Sequence, residues 1–453
     1  MRRTWIIAAA AASLAAGCNS FLDSPKAISD PNNPTVATRN QLFAGAQANV
    51  FGYYEGYVPM LVCGWMQQCA GINSRFVQTE GEYGITAGSL DFTFSSVYSG
   101  GGLIGLRTIE ASADADGDKV YKGITEVLEA MTMMLTADVW GDVPYREAVA
   151  SNPTPVFDPQ MQIYGDLLTL LDQAITDIGG AGPGPGPVDL VYGGDKTKWI
   201  QAAHTLKARI YLRRVEKLGS GEYTNALKEA KLGISAPAND WLTKHSAANA
   251  ERNVWQQFQS TSGFGNDLVA GARLVNLMKA QNDPRLPTYF GKAPDGTYGG
   301  FDATVGTTAL TAVSPLAGGR ASDPLFRQPI ITYDETQLII AESALQTGDP
   351  ATAATALNTV RARNGKPAIS APTLNDIMTE KYITLFQNPE VWNDYKRTCL
   401  PTLTPVVGRA VIPGRFLYGQ TEVQTNPQPQ TASDNIFSRR NANDPNACQG
   451  TAP

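Results

Sequence analysis

Leu338-Ile339-Ile340-Ala341-Glu342, then Gly348-Asp349-Pro350, then Ala353, Ala356 and Leu357 make up the stretch that decides the fold. The first run reads as a buried helix, and glycine then supplies a turn. Asp349 offers an oxygen to cap the next helix, and Pro350 suits its first position, where the missing N–H is no loss. Ala353 and Ala356 fall three apart and let the second helix approach the first. The unit is an antiparallel helical hairpin.

The same order recurs. Leu206 to Leu227 holds a long helix, the turn Gly219-Ser220-Gly221-Glu222-Tyr223 and then Ala226-Leu227. The helix from Ile124 to Val139, followed by Met161 to Ile178, is a further candidate unit. Such degenerate hairpins resemble the tetratricopeptide repeat, in which small residues bring paired helices together. Apolar residues three or four apart mark the buried faces: Ile124, Val127, Leu128, Met131, Leu135 and Val139; Trp199, Ala203, Leu206, Ile210 and Val215; Leu374, Ile377, Met378, Tyr382, Leu385 and Phe386. Asp158-Pro159 and Pro372-Thr373 are further start signals.

Between hairpins the pattern lapses. Gly182-Pro183-Gly184-Pro185-Gly186-Pro187 is a surface connection that excludes helix. Residues 236–324 are rich in Gly, Pro, Asn and Thr, with one helix expected near Leu268 to Met278. The organisation expected is a leader at 1–17, a tether at 18–37, hairpin core at 38–235, a loop-rich insertion at 236–324, hairpin core at 325–400 and an extended segment at 401–453. Long loops in a compact domain are usually functional.

The first residues address the chain. Arg2 and Arg3 precede the apolar run Ile6–Leu14, and Ala15-Ala16-Gly17 leads into Cys18. A basic head, a short apolar stretch and small residues form a secretory signal. The cysteine after it resembles the lipobox of bacterial lipoproteins, so acylation at Cys18 and a lipid anchor are expected. Cys63, Cys69, Cys399 and Cys448 remain, and four cysteines allow three connectivities. Chain proximity favours 63–69 and 399–448; buried free thiols are the alternative. A bridge between positions six apart requires a helix break near Gly64.

With 36 basic and 42 acidic residues the formal charge is −6, and no basic stripe suits nucleic acid. Only His204 and His245 are available for metal or triad chemistry, and His204 reads as a packing or hydrogen-bonding residue. Asp114, Asp116 and Asp118 surround Gly117, but Thr125 stands where an EF-hand needs glutamate, so helix capping is the better reading. No cofactor is expected. Aromatics cluster in two places: Trp65, Phe76, Tyr83 and Phe92, and then Trp241, Trp255, Phe264, Tyr289, Tyr298 and Phe301 in the insertion. Beside amides and arginine they can stack sugars or pin loops.

Trp140-Gly141-Asp142-Val143-Pro144-Tyr145, Gln337–Glu342, Leu357–Arg363, Glu390–Thr398 and Ile412–Tyr418, in this order behind a lipobox, resemble the SusD/RagB-like family of outer-membrane nutrient-binding lipoproteins. The resemblance implies an all-α, tetratricopeptide-like core whose irregular loops form the ligand face. It implies a surface-facing, acylated protein that binds an oligosaccharide or peptide. It further implies a hinged lid over a SusC-like TonB-dependent transporter, without covalent chemistry. Trp140 and Trp392 are expected to fill core, and Asp142 and Asp394 to cap or to pair with Arg397. The expected ligand groups are Gln67, Asn73, Arg75 and Tyr83, with Trp255 and Phe264 from the insertion. Two other readings are a lipid-anchored interaction scaffold and a surface glycoside hydrolase using paired carboxylates.

Overall fold

The hairpin that opens with Tyr333 shows how a helix is started here. Asp349 accepts from the Thr352 N–H at 3.0 Å, and Pro350 opens the helix that follows. Thr373 and Asp376 form a reciprocal capping box at another start. The structure is a computed structural model and describes residues 37–73, 76–77, 83–150, 152–261, 267–428, 441 and 448. Residues 1–36, which hold the expected leader and Cys18, lie outside the described residues.

Helices dominate. They are α1 (Arg39–Glu55), α2 (Tyr57–Trp65), α3 (Ala87–Tyr98), α4 (Leu103–Ala115), α5 (Lys119–Trp140), α6 (Gln160–Gly179), α7 (Lys196–Leu218) and α8 (Gly221–Leu232). After the insertion's short helices α9 (Val254–Ser260), α10 (Ala272–Ala280), α11 (Leu286–Tyr289) and α12 (Gly318–Ala321) come α13 (Tyr333–Gln346), α14 (Pro350–Arg363), α15 (Leu374–Thr384), α16 (Glu390–Thr398) and α17 (Gln420–Thr425). Strands are two or three residues long: β1 (Cys69–Gly71) pairs with β3 (Leu268–Ala270), and β2 (Trp241–Leu242) with β4 (Pro329–Ile331), both antiparallel.

The hairpins stack in sequence: α4 on α5, α5 on α6, α6 on α7, α7 on α8, α8 on α13, and α13 on both α14 and α15. This is the all-α, tetratricopeptide-like arrangement that the spacing implies. Helix α5 is buried on nearly every side because α1, α4, α6 and α7 all pack on it. Among the described residues no helix is long and apolar enough to cross a membrane.

The motif segments, far apart in sequence, meet in one aromatic core. Trp65, Trp140, Trp392 and Phe416 are fully buried. Phe416 has its ring centroid 5.3 Å from Trp65, 5.6 Å from Trp140 and 5.2 Å from Trp392. The Trp140 indole donates to Leu417 O at 2.7 Å, and the Tyr418 hydroxyl to Asp142 O at 2.7 Å. Asp142 caps α6 by accepting from Gln160 N at 2.8 Å, and Asp394 pairs with Arg397 at 2.5 Å and Lys381 at 2.8 Å.

Buried ion pairs then tie hairpin to hairpin. Arg209 on α7 meets Glu335 on α13 at 2.6 Å. Arg213 meets Asp138 on α5 at 2.9 Å and Glu390 on α16 at 2.5 Å. Burial works against charge on Asp283, but the Arg285 guanidinium and Lys366 hold its carboxyl down at about 2. Asp118 caps α5 through Tyr121 N, while Asp114 and Asp116 pair with Lys119 and Arg39. The acidic triplet therefore serves helix ends.

Three local expectations are corrected. Leu268–Ala270 is strand, and the helix expected from Leu268 starts only at Ala272, because pairing with β1 outweighs local helical preference. The Gly-Pro run closes on a one-turn 3₁₀ helix, Gly186–Val188, which a proline near the start tolerates. Helix α15 stops at Thr384, so Leu385 and Phe386 bury from the turn beyond it.

Candidate functional site

The break in α2 begins the site. The helix ends at Trp65, and Gln67 takes a left-handed φ of 58°. That reversal returns Gln68 N to Cys63 O at 2.9 Å and brings the Cys63 and Cys69 Cα atoms to 5.1 Å, where they are bridged. Cys399 and Cys448 are bridged as well. The turn is pinned from behind: Gln68 Nε2 donates to Tyr382 O at 2.6 Å, and the Tyr382 hydroxyl to Met66 O at 2.6 Å.

Chain segments distant in sequence gather on this turn. Beside β1 and β3, Phe301 N donates to Ala270 O at 2.8 Å, and Ala272 N to Phe301 O at 3.0 Å. Val407 N donates to Ala303 O at 2.8 Å, and Gln67 Nε2 to Thr404 O at 2.5 Å. The approach depends on glycine. A Cβ on Gly271 would sit 2.3 Å from Gln67 O, and one on Gly300 2.4 Å from Ala272 N.

Two contiguous clefts result, sharing Phe301 and Ala303. The first, about 630 Å³, is apolar, with Ile72, Val77, Leu310 and Val407 on its walls. Leu310 is 56% and Val407 51% exposed, so this apolar wall is open to solvent. The second, about 330 Å³, is polar, lined by Gln67, Arg273, Asn276, Asp302, Thr304, Thr402 and Thr404. Asp302 Oδ1 accepts from Thr304 N at 2.9 Å and its hydroxyl at 2.6 Å.

Of the residues expected to touch ligand, Gln67 lines the polar cleft. Asn73 is exposed just beyond β1 but is not a lining residue. Tyr83 and Trp255 are each 1% exposed and present no ring face to solvent. Tyr83 packs edge-on against Trp65, with its hydroxyl accepting from Val406 N at 3.3 Å; burial pushes that phenol above its ordinary range. Arg75 and Phe264 lie outside the described residues. Sequence reasoning missed Arg273, Asn276 and Asp302 altogether; Phe301 was visible as one of the insertion's aromatics.

Both histidines sit against carboxylates. His204 Nδ1 meets Glu229 at 2.7 Å, and His245 Nε2 meets both buried Glu55 at 2.8 Å and Thr243 Oγ1 at 2.9 Å. A triad needs the nucleophile and the orienting carboxylate on opposite ring nitrogens, whereas at His245 the hydroxyl and the carboxylate share one.

A SusD-like family model, described as starch-binding associating with outer membrane, matches residues 31–359. The fold is similar to that of a SusD/RagB family protein from Bacteroides thetaiotaomicron, at 18% identity and a TM-score of 0.70, covering 87% of this chain and 95% of that one. It is also similar to a chitin-binding SusD homolog from Flavobacterium johnsoniae, at 19% identity and a TM-score of 0.71, covering 90% and 97%. A second Bacteroides thetaiotaomicron SusD-like protein gives 20% identity, a TM-score of 0.71 and 86% and 94% coverage. No curated protein matches.

Proposed function

This chain belongs to the SusD-like family of outer-membrane nutrient-binding proteins, and from that premise we propose that it captures an oligosaccharide in the paired clefts around Phe301. One observation carries the reading. An open apolar wall and a polar wall adjoin on short strands and loops, outside the helical stack that holds them. A sugar offers the same two faces, apolar C–H surfaces and a rim of hydroxyls. The chitin-binding homolog shares the fold, which supports a glycan over a peptide.

The proposed role continues as the family implies. Acylated at Cys18, the chain stands on the outer membrane as a hinged lid over a TonB-dependent barrel and passes its cargo inward unchanged. Asp302 is the one carboxyl group among the described lining residues, whereas ordinary glycoside hydrolysis employs two. The test is mild detergent extraction of the native membrane with the chain as bait. A large β-barrel transporter recovered with it is the expected result. Recovery of the chain alone, repeatedly and with intact lipid, overturns the lid.

A further inference from the structure

Arg273, half-buried beside the polar cleft, differs from the arginines of the buried ion network. Arg209, Arg213, Arg285 and Arg397 each meet a carboxylate. Arg273 lines the polar cleft, yet no described residue accepts a hydrogen bond from it or forms an ion pair with it. Its Nε is buried without a partner. A guanidinium that lines an open cleft with no carboxylate beside it is set to take one from a ligand through its terminal nitrogens.

We propose that the polar cleft recognises a carboxylate, with Arg273 as its anchor, so that the cargo is an oligosaccharide containing uronic acid units. This rests on the reading of the clefts as the ligand site. Guanidinium offers two parallel donors that match the two oxygens of a carboxylate. Asn276, one turn along α10, and Thr304, Thr402 and Gln67 supply neutral groups for the flanking hydroxyls. Asp302 shares the cleft without bridging Arg273, and its Oδ1 is turned to Thr304. Among the described residues no carboxylate therefore neutralises the guanidinium. As the second residue of the nine-residue α10, it also sits at the positive end of that helix.

The experiment compares tri-galacturonate with its fully methyl-esterified form, which keeps the sugar backbone and removes the carboxylate charges. Calorimetry on the whole chain gives affinities, while the arginine Nε–Hε spectrum, assigned by the peak missing in Arg273→Gln, reports the contact. The acid is expected to bind at least about tenfold more tightly, the order of one charge-assisted bidentate contact. It should shift the Arg273 resonance saturably, and Arg273→Gln should abolish the preference. Equal affinities, or no saturable shift with the acid, overturn the inference. Ala303→Trp, which puts a bulky ring at a residue lining both clefts, separates the carboxylate from the glycan site. If neutral glycans bind and this variant blocks them without any preference for the acid, the carboxylate falls and the glycan site stands. If no glycan binds at all, the site falls too.

Discussion

Replacing Arg213 by Met isolates the ion network that joins three hairpins. Arg213 donates to Asp138 at 2.9 and 3.1 Å, to Glu390 at 2.5 Å and to Arg209 O at 3.0 Å. Methionine keeps much of the stem's packing and removes every donor. Asp138 would still accept from the Tyr164 hydroxyl at 2.6 Å and Asn393 at 2.9 Å. Among the described residues Glu390 would keep only Arg209, at 3.7 Å. It becomes a nearly unpaired charge with 6% of its side chain exposed. Removing one partner of a buried pair costs about 3–5 kcal/mol, and Glu390 is the reason to expect that range here. Urea unfolding should show a lower midpoint at unchanged slope.

The sign of the pH effect is a second check. In the native chain burial raises the Glu390 carboxyl, but Arg213 and Arg209 outweigh it and leave it below its ordinary range. Without Arg213 the balance reverses, so protonation relieves the variant and its deficit shrinks from pH 8 to pH 5. Arg213→Met/Glu390→Gln should recover more than half of the loss at pH 8. A single variant within about 1 kcal/mol of the parent, where the buried-pair penalty predicts several times that, refutes the reasoning. So does a double variant no better than the single one.

Two further outcomes are expected. Burial pushes the Asp240 carboxyl up to about 7, against the hydrogen bond from Tyr333 N at 2.7 Å. The folded chain therefore holds that proton more tightly than the unfolded chain, and its contribution to stability is lost as pH rises from about 4 to about 7. Asp240→Asn keeps the acceptor and should flatten the thermal-stability profile across that window; an unchanged profile contradicts it. Removing the Cys63–Cys69 bridge with two serines reopens a short loop and should cost roughly 2–3 kcal/mol by loop-closure entropy. Hydrogen exchange should quicken first in Cys69–Gly71 and Leu268–Ala270; loss confined to the hairpin stack would contradict the strand's dependence on the bridge.

The helices were legible because their apolar spacing is sustained over several turns, as in Ile124–Val139, and because Asp349-Pro350 and Thr373 carry caps. The strands were not. Three residues such as Leu268–Ala270 are too short to show alternation, and their state is decided by Cys69–Gly71, some two hundred residues away. The same physics hid most of the site. Gln67 stood out by composition, but Arg273 matters only because no described neighbour neutralises it, which is a tertiary fact. Tyr83 and Trp255 were drawn toward the ligand by residue type, and composition does not say whether a ring faces solvent or Trp65. The aromatic core was half visible: the segments around Trp140, Trp392 and Phe416 were evident as motifs, their meeting was not.

The most direct trial of the glycan cleft is an array of plant, fungal and bacterial polysaccharide fragments probed with the parent chain and with Ala303→Trp at matched thermal stability. Retention of a subset of glycans by the parent, and loss of that subset in the variant, is the predicted result. A parent that retains none, or a variant that retains the same set equally well, contradicts the account.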